Sequence, residues 1–353
     1  METANSNKRL SPAEALDMWH NLTLGELGES AIAQKLLKSQ NKVFYNQNIH
    51  IEPTNICSME CTFCSFRRQE GEQGAWNYSL EEIEEICKSH AQKPLTEVHI
   101  VGGVDPKRDF EYYEELLRLV KKHFPTATLK AYTAVELHHI ITKAGLPIIE
   151  GLSRLKEAGM GAIAGGGAEI FADRVRRRIC PKKCNAQEWL SLHRAAHSLG
   201  ITSNATILYG HIETIEERIE HLDMLRSLQD ETSGFNAFIP LKFKPSGNEL
   251  GREVTSPTVI EDMRFFALCR LYLDNFDHIK AYWPMMGKDS TELALSYGAD
   301  DIDGTIDDTT KIYSLAGAED QNPRLTVGEC HTLIKNAGFE PAERDSFYNT
   351  IEK

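Results

Sequence analysis

The sequence lacks any long apolar run and any excess of positive charge. Its 353 residues contain no uninterrupted stretch of about 18 apolar residues, the length that a membrane-spanning helix requires. Residues 1–19 lack the apolar core of a secretory signal, so we expect a cytoplasmic location and no membrane partner. The formal net charge of −13 opposes binding to polyphosphate, which argues against a nucleic-acid partner.

Gly/Ser-rich linkers and low-complexity segments are also missing, and a regular alternation of elements fills the chain instead. Strand-like runs occur at 48–56, 96–103, 128–135, 159–166, 202–209, 234–243, 278–285 and 299–306. Helical patterns separate them, at 79–91, 111–123, 148–158, 186–199, 214–228, 257–275 and 290–297, with another at about 325–337. Eight strands alternating with helices predict parallel pairing, in an α/β (β/α)8 TIM-type barrel or in a doubly wound open sheet. The strand count favours the barrel.

The helical segments carry start and stop signals that set their limits. Ser79 precedes Glu82, and Thr214 precedes Glu217, by the three residues of a capping box. Amphipathic helices are predicted over 11–40, before the first strand. We therefore expect an N-terminal helical extension over 1–45, a barrel over 46–310 and a C-terminal helical segment over 311–353 packed on the barrel.

In a barrel of this kind, functional residues lie just past the C-terminal ends of the strands. Glycine-rich or polar segments follow six of the predicted strands: "NICSMEC", "VGGVDP", "TAVE", "AGGGAE", "LYGHIE" and "PLKFKP". Packing alone does not require a glycine triplet at a strand end. These segments therefore predict a site where the backbone approaches a ligand.

Eight cysteines in a chain of this length do not indicate a disulfide framework in the cytoplasm. Cys87, Cys269 and Cys330 fall in helical patterns and are interpreted as small core residues. Cys180 and Cys184 stand four residues apart around Pro181 with no third ligand nearby in sequence, so we interpret them as structural as well.

The remaining three cysteines form the motif Cys57-x3-Cys61-x2-Cys64, directly after the first predicted barrel strand. Three thiolates and a distant histidine would suit a structural zinc site. Three thiolates would also hold a [4Fe-4S] cluster and leave one iron with an open coordination position. In the second case the fourth position is available to a substrate or a cofactor.

With Phe63 directly before its last cysteine, this motif resembles that of the radical S-adenosylmethionine (SAM) superfamily. The resemblance implies a [4Fe-4S] cluster on Cys57, Cys61 and Cys64, with SAM bound at the open iron and a reductant such as flavodoxin or ferredoxin. One electron would then cleave SAM to methionine and a 5′-deoxyadenosyl radical. Gly102 and Gly103 match the Gly-Gly-Glu turn of the superfamily, although Val104 stands where Glu is common.

A narrower resemblance extends from about residue 10 to the C-terminus. Its segments include "KAYTAVE", "GGGAEIF", "SNATILYGHIET", "FNAFIPLKF" and "IKAYWPMMG", which are similar to the aminodeoxyfutalosine synthases of menaquinone biosynthesis. Ala164 departs from the proline usual in that family. The resemblance implies that the adenosyl radical adds to the vinyl carbon of 3-(1-carboxyvinyloxy)benzoate, an aromatic dicarboxylate. Rearrangement and loss of bicarbonate would give 6-amino-6-deoxyfutalosine, so SAM is consumed as a co-substrate.

Candidate site residues follow from the chemistry of these two ligands. For binding SAM we predict Phe63, Gly102, Gly103, Thr133, Glu136 and Glu169, although both glutamates also suit helix starts. For the substrate and its carboxylates we predict Arg67, Arg68, Arg177, Asn204, Thr206 and Tyr282, with Lys242 and Lys244 as further cations. His211, in "LYGHIET", is the predicted catalytic residue, with a structural role as the alternative.

Two other classes of function stay open from the sequence. One is a related radical SAM enzyme, either the dehypoxanthine futalosine cyclase or a deazaflavin synthase subunit. The other is a zinc-stabilised binding protein without enzymatic activity.

Overall fold

The structure, a computed structural model, describes residues 9–307, 310–318 and 320–352. Its strands are β1 Lys42–Asn46, β2 Asn48–Ile51, β3 Glu97–Ile100, β4 Thr128–Ala131, β5 Met160–Ile163, β6 Thr202–Tyr209, β7 Phe235–Lys242, β8 His278–Ile279, β9 Asp301–Gly304 and β10 Glu340–Glu343. Its first seven helices are α1 Pro12–Asn21, α2 Leu24–Ser39, α3 Leu80–His90, α4 Phe110–His123, α5 Ala134–Lys143, α6 Ile148–Glu157 and α7 Asp173–Ile179. The others are α8 Ala186–Ser198, α9 Ile215–Thr232, α10 Val259–Tyr272, α11 Trp283–Met286, α12 Lys288–Leu295, α13 Ile312–Leu315 and α14 Val327–Asn336.

The central sheet is parallel, and its seven strands β2 to β8 are neighbours in chain order. A second, three-stranded sheet has the order β10-β1-β9. A bridge between Lys280 and Asp301 joins β9 to the end of β8, and only Gln47 separates β1 from β2. The predicted α/β barrel class is confirmed. The eighth expected strand, β9, differs from the expectation because it belongs to the second sheet and not to one continuous ladder.

The strands near the two ends of the chain, β1 and β10, belong to the three-stranded sheet. Most of β1 lies within the predicted N-terminal extension, 1–45, and β10 lies within the predicted C-terminal segment, 311–353. The division of the chain into an extension, a barrel and a C-terminal segment stays a prediction. Among the described residues, no helix combines the length and the apolar character that spanning a membrane requires.

The predicted capping boxes are present at the starts of α3 and α9. At α3 the Ser79 hydroxyl accepts a hydrogen bond from the Glu82 backbone, and the Glu82 carboxylate accepts one from the Ser79 N–H at 2.8 Å. Thr214 and Glu217 form the same reciprocal pair at α9. These bonds satisfy backbone donors that the first helical turn leaves without partners, so the sequence fixes where each helix begins.

Paired charges fill the end of the barrel that is opposite to the strand C-termini. Lys130 and Glu97 form an ion pair at 2.6 Å, and Ser346 donates a hydrogen bond to Glu97 at 2.6 Å. Arg344, just after β10, pairs with the buried Asp301. The last strand and the residues after it thus close this end, which leaves the C-terminal ends of the strands for ligand entry.

Candidate active site

A cavity of about 290 Å3 opens at the C-terminal ends of the barrel strands. Most of the predicted site residues line it together: Cys57, Cys61, Phe63, Cys64, Arg67, Gly102, Gly103, Thr133, Glu136, Glu169, Thr206 and Tyr282. They come from loops after β2, β3, β4 and β5 and from β6 and the end of β8, as the barrel rule predicts.

The three clustered cysteines lie on one loop and carry no disulfide. The loop is held by backbone hydrogen bonds, from Cys57 N–H to the Arg68 carbonyl at 3.1 Å and from Cys64 N–H to the Cys61 carbonyl at 3.2 Å. Burial raises the pKa of the Cys61 and Cys64 thiols, and nearby Lys183 opposes that rise at both. Because thiolates are the ligating form, a cation beside them favours metal binding.

The three thiols can also be compared with the requirements of a single metal ion. Within residues 9–307, 310–318 and 320–352, no three His, Cys, Asp or Glu side chains converge closely enough to hold one metal ion. A tetrahedral zinc site requires such convergence, with each sulfur about 2.3 Å from the ion. The three cysteines nevertheless line one cavity, as the ligands of a wider iron–sulfur cluster do. Three thiols on one loop are a donor set that a [4Fe-4S] cluster accepts.

The glycine pair after β3 packs against the segment that leads into the cysteine loop. A Cβ atom on Gly103 would lie 2.2 Å from the Ile56 carbonyl oxygen, and one on Gly102 would lie 2.8 Å from the Thr54 carbonyl oxygen. Gly103 also donates its N–H to the Thr54 carbonyl at 2.7 Å. Both glycines line the cavity, so their backbone contacts this segment on one side and ligand space on the other.

We expect Gly103→Ala to displace the cysteine loop, because the added methyl group meets a backbone carbonyl that cannot rotate away. The expected results are destabilisation by about 1–3 kcal/mol, as for an overpacked site, and a clear fall in bound iron after reconstitution. Urea unfolding and iron analysis measure the two effects.

Gly25→Ala is the matched control for this substitution. A Cβ on Gly25, in α2, meets only the Thr23 hydroxyl, at 4.0 Å, so its effect should stay within about 0.5 kcal/mol. Equal iron contents in the two variants would contradict the packing argument.

Glu136 links two of the segments that line the cavity. Its carboxylate accepts hydrogen bonds from the Thr133 N–H at 2.7 Å and the Gly102 N–H at 3.0 Å, while Thr133 caps α5 in return. Burial raises the pKa of Glu136 to about 7, against these hydrogen bonds. The helix-start role and the cavity-lining role thus coincide at one residue. Its predicted contact with SAM stays a prediction.

Glu169 forms a buried ion pair with Lys183, a residue that the sequence analysis missed. The Lys183 Nζ lies 2.5 Å from the Glu169 carboxylate, and the two side chains are 13% and 9% exposed. Burial lowers the pKa of Lys183, but the neighbouring Cys61 and Glu169 raise it more, so the lysine is cationic. Its ammonium group also lies 5.2 Å from the centre of the Phe63 ring. The only signal in the sequence was its place in "CPKKC", in the segment that follows "AGGGAEIF".

His211, the predicted catalytic residue, is not among the residues that line the cavity. Its side chain is fully buried, with Nε2 3.0 Å from the Leu208 carbonyl and Nδ1 2.9 Å from the Glu213 carboxylate. Glu213 is bound in turn to Arg218 at 2.7 Å. Because protein groups surround both ring nitrogens, the geometry favours the structural alternative for His211.

Three predicted substrate contacts also lie outside the cavity lining. The Arg68 guanidinium donates to the carbonyls of Ser65 and Arg67 at 2.9 and 2.8 Å, so it stabilises its own loop. Arg177 lies on the exposed face of α7. Asn204 is buried in β6, but the cavity does not reach it.

Two lysines near the end of β7 point in different directions although they are only two residues apart, because Lys242 is the last residue of the strand and Lys244 lies beyond it. Lys242 points away from the cavity and pairs with the buried Asp262 at 2.6 Å. Lys244 lines the cavity. Arg67 and Lys244 therefore add two positively charged side chains to the cavity lining, beside Lys183, which is paired with Glu169.

The class of protein follows from this fold, this cysteine loop and the comparison with known families. The chain belongs to the radical SAM superfamily: the superfamily model matches residues 51–225, and the model of the CofH/MqnC C-terminal region matches residues 232–353. Membership implies a [4Fe-4S] cluster and SAM, which the donor set of three thiols fits.

Within the superfamily, the chain is similar to aminodeoxyfutalosine synthase of Thermus thermophilus. The two are 45% identical over 99% of this chain and 94% of that protein. Cyclic dehypoxanthine futalosine synthase of Streptomyces coelicolor is 36% identical, over 99% of this chain and 88% of the relative. The fold is also that of methylornithine synthase, with a TM-score of 0.77 at 18% identity, covering 96% of this chain and 95% of the other.

Proposed function

We propose that this chain is an aminodeoxyfutalosine synthase, which joins the adenosyl group of SAM to 3-(1-carboxyvinyloxy)benzoate. The products are 6-amino-6-deoxyfutalosine, methionine and bicarbonate. The observation that carries the proposal is the 45% identity to a synthase over nearly the whole of both chains. A cavity that joins three cysteines to cations and apolar walls supports it.

The residues around the cysteines have defined roles in this proposal. Cys57, Cys61 and Cys64 would hold the [4Fe-4S] cluster, which would supply the one-electron chemistry for SAM cleavage. Lys183 balances the negative charge of the thiolates and of Glu169. Gly102 and Gly103 present backbone to the ligand space, and the Phe63 ring lines the same part of the cavity.

The rest of the cavity suits an aromatic acid. Ile239, Leu241 and Met285 give it an apolar wall that accommodates a benzene ring and excludes water, which would quench a radical. Arg67 and Lys244 supply cations that a carboxylate requires. Thr206 and Tyr282 add hydroxyl groups to the same lining.

The reconstituted enzyme, reduced and supplied with SAM and 3-(1-carboxyvinyloxy)benzoate, should form a purine-bearing adduct that has lost one carboxylate. Mass spectrometry should detect the adduct, and methionine and bicarbonate should accumulate in equal amounts with it. The amounts should be equal because each adenosyl radical is incorporated into the product and is not released as 5′-deoxyadenosine. Dehypoxanthine futalosine, offered to the same preparation, should give no cyclic product.

Two outcomes would contradict the proposal. Formation of 5′-deoxyadenosine alone would mean that the substrate only loses a hydrogen atom. Conversion of dehypoxanthine futalosine to a cyclic product would assign the chain to the related cyclase.

A further inference from the structure

Four ring side chains, which we call the floor cluster, lie together within the barrel: His50, His99, Tyr282 and Tyr313. The His50 and His99 rings are 4.4 Å apart between centres, and His50 and Tyr313 are 6.4 Å apart. Tyr282 and Tyr313 share a hydrogen bond of 2.6 Å between their hydroxyls. All except His50 line the cavity.

The two histidines of the floor cluster lie deeper in the barrel than the cysteine loop. His50 and His99 are register partners inside β2 and β3, whereas the cysteine loop begins beyond the C-terminal end of β2. Glu97, two residues before His99 in β3, forms the ion pair with Lys130 that closes the opposite end of the barrel. The cavity therefore runs from the cysteines inwards to His99.

No hydrogen bond joins the ring nitrogens of His99 to a described residue. Its Nε2 is buried without a partner. The Glu52 carboxylate, which lines the same cavity, is by contrast satisfied, because it accepts from the Lys311 N–H at 2.8 Å and the Ile312 N–H at 3.2 Å. Buried polar atoms are almost always paired, so an unpaired imidazole that lines a cavity indicates a ligand contact.

The surroundings of His99 determine which ligand chemistry it suits. Burial lowers the pKa of His99 well below its ordinary value, and burial lowers the pKa of His50 to about 4. The Glu97–Lys130 pair beneath them is already neutral as a unit. A neutral imidazole offers one N–H donor and one acceptor, and the donor suits a carboxylate.

We propose that His99 binds the benzoate carboxylate of the substrate and thereby selects the dicarboxylate over the analogue that lacks the ring carboxylate. This inference rests on the proposed function and adds an orientation to it. The benzoate end lies against the floor cluster, and the enolpyruvyl end, which reacts, faces the cysteines. The second carboxylate then lies near Arg67 and Lys244, so each end of the dicarboxylate meets a different kind of donor.

The test compares two ligands on two forms of the reconstituted holoenzyme without reductant, by calorimetry. The ligands are 3-(1-carboxyvinyloxy)benzoate and 2-phenoxyacrylate, which lacks only the ring carboxylate. The wild type should bind the first about 10- to 100-fold more tightly, as expected for a hydrogen bond to a charged group. His99→Phe should bind both within about threefold, and His99→Asn, which keeps an N–H donor, should retain most of the discrimination.

If the His99→Phe variant discriminates between the two ligands as strongly as the wild type does, the proposed role of His99 is wrong. If His99→Phe does not fold with full iron content, His99→Leu replaces it as the apolar variant. SAM affinity serves as the internal control and should not change in any variant. A wild type that binds neither ligand, or forms no adduct after reduction, would overturn the proposed function itself, which is a distinguishable result.

Discussion

Cys61→Ala should abolish SAM cleavage, because it removes the most deeply buried of the three cluster ligands. Cys61 is 4% exposed, and no other described cysteine lines the cavity besides Cys57 and Cys64. Two thiolates would leave a second iron without a protein ligand, so the cluster should be lost and not merely altered. The expected result is methionine formation at the background of protein that was never reconstituted.

Iron and sulfide analysis and the visible absorbance of the reconstituted protein measure this loss directly. Cys87→Ala is the matched control, because Cys87 is completely buried in α3 and does not line the cavity. It removes the same number of atoms from a core position and should keep full iron content and SAM cleavage. A Cys61→Ala variant with the iron content of the Cys87→Ala control would disprove the ligand assignment.

The fold was predictable where its signals are local. Alternating apolar runs and capping boxes located the strands β2 to β9 and most of the helices, because each depends on residues within a few positions of one another. The strands β1 and β10 were missed, since they lie largely in end segments that were predicted to be helical. Helix α5 was missed because β4 has only four residues and the strand-like run 128–135 continues into the helix. Helix α7, "DRVRRRI", was not predicted as an element because three arginines hide its apolar positions.

The site residues were predictable where they lie just past the C-terminal ends of strands. They were not predictable where the direction of a side chain determines whether it reaches the cavity. The barrel rule placed the cysteines, the glycine pair and both glutamates at the cavity. It could not show that Arg177 faces outwards while its neighbour Arg176 is buried and donates to the Ile170 carbonyl at 3.1 Å. Nor could it show that Glu213, two residues away, binds His211. Both outcomes depend on the packing of a loop or a helix against the barrel.

Lys183 and His99 were missed for a different reason. Each is an ordinary residue in its own segment, and its importance comes from groups that are distant in sequence. Lys183 lies 14 positions after its partner Glu169, and His99 acquires its ring contact from the neighbouring strand. Three-dimensional placement therefore supplies the cation and the imidazole that complete the cavity.

Lys183→Met should destabilise the protein by about 3–5 kcal/mol, because it leaves the Glu169 carboxylate buried without its cation. The ion pair is nearly inaccessible to solvent, with side chains 13% and 9% exposed. The same variant should lose bound iron more readily, since no cation then offsets the thiolate at Cys61. Urea unfolding measures the first effect, and iron content after gel filtration measures the second.

The neighbouring lysine provides a matched control for the buried pair. Lys182 pairs with Glu60 at 2.7 Å, but both side chains are about half exposed, at 53% and 50%. Lys182→Met should therefore cost less than about 1 kcal/mol, because water already solvates both partners. The double variant Lys183→Met with Glu169→Gln should recover most of the lost stability, since it removes the uncompensated buried charge. Equal small effects for Lys182→Met and Lys183→Met would show that the Lys183–Glu169 pair does not stabilise the site.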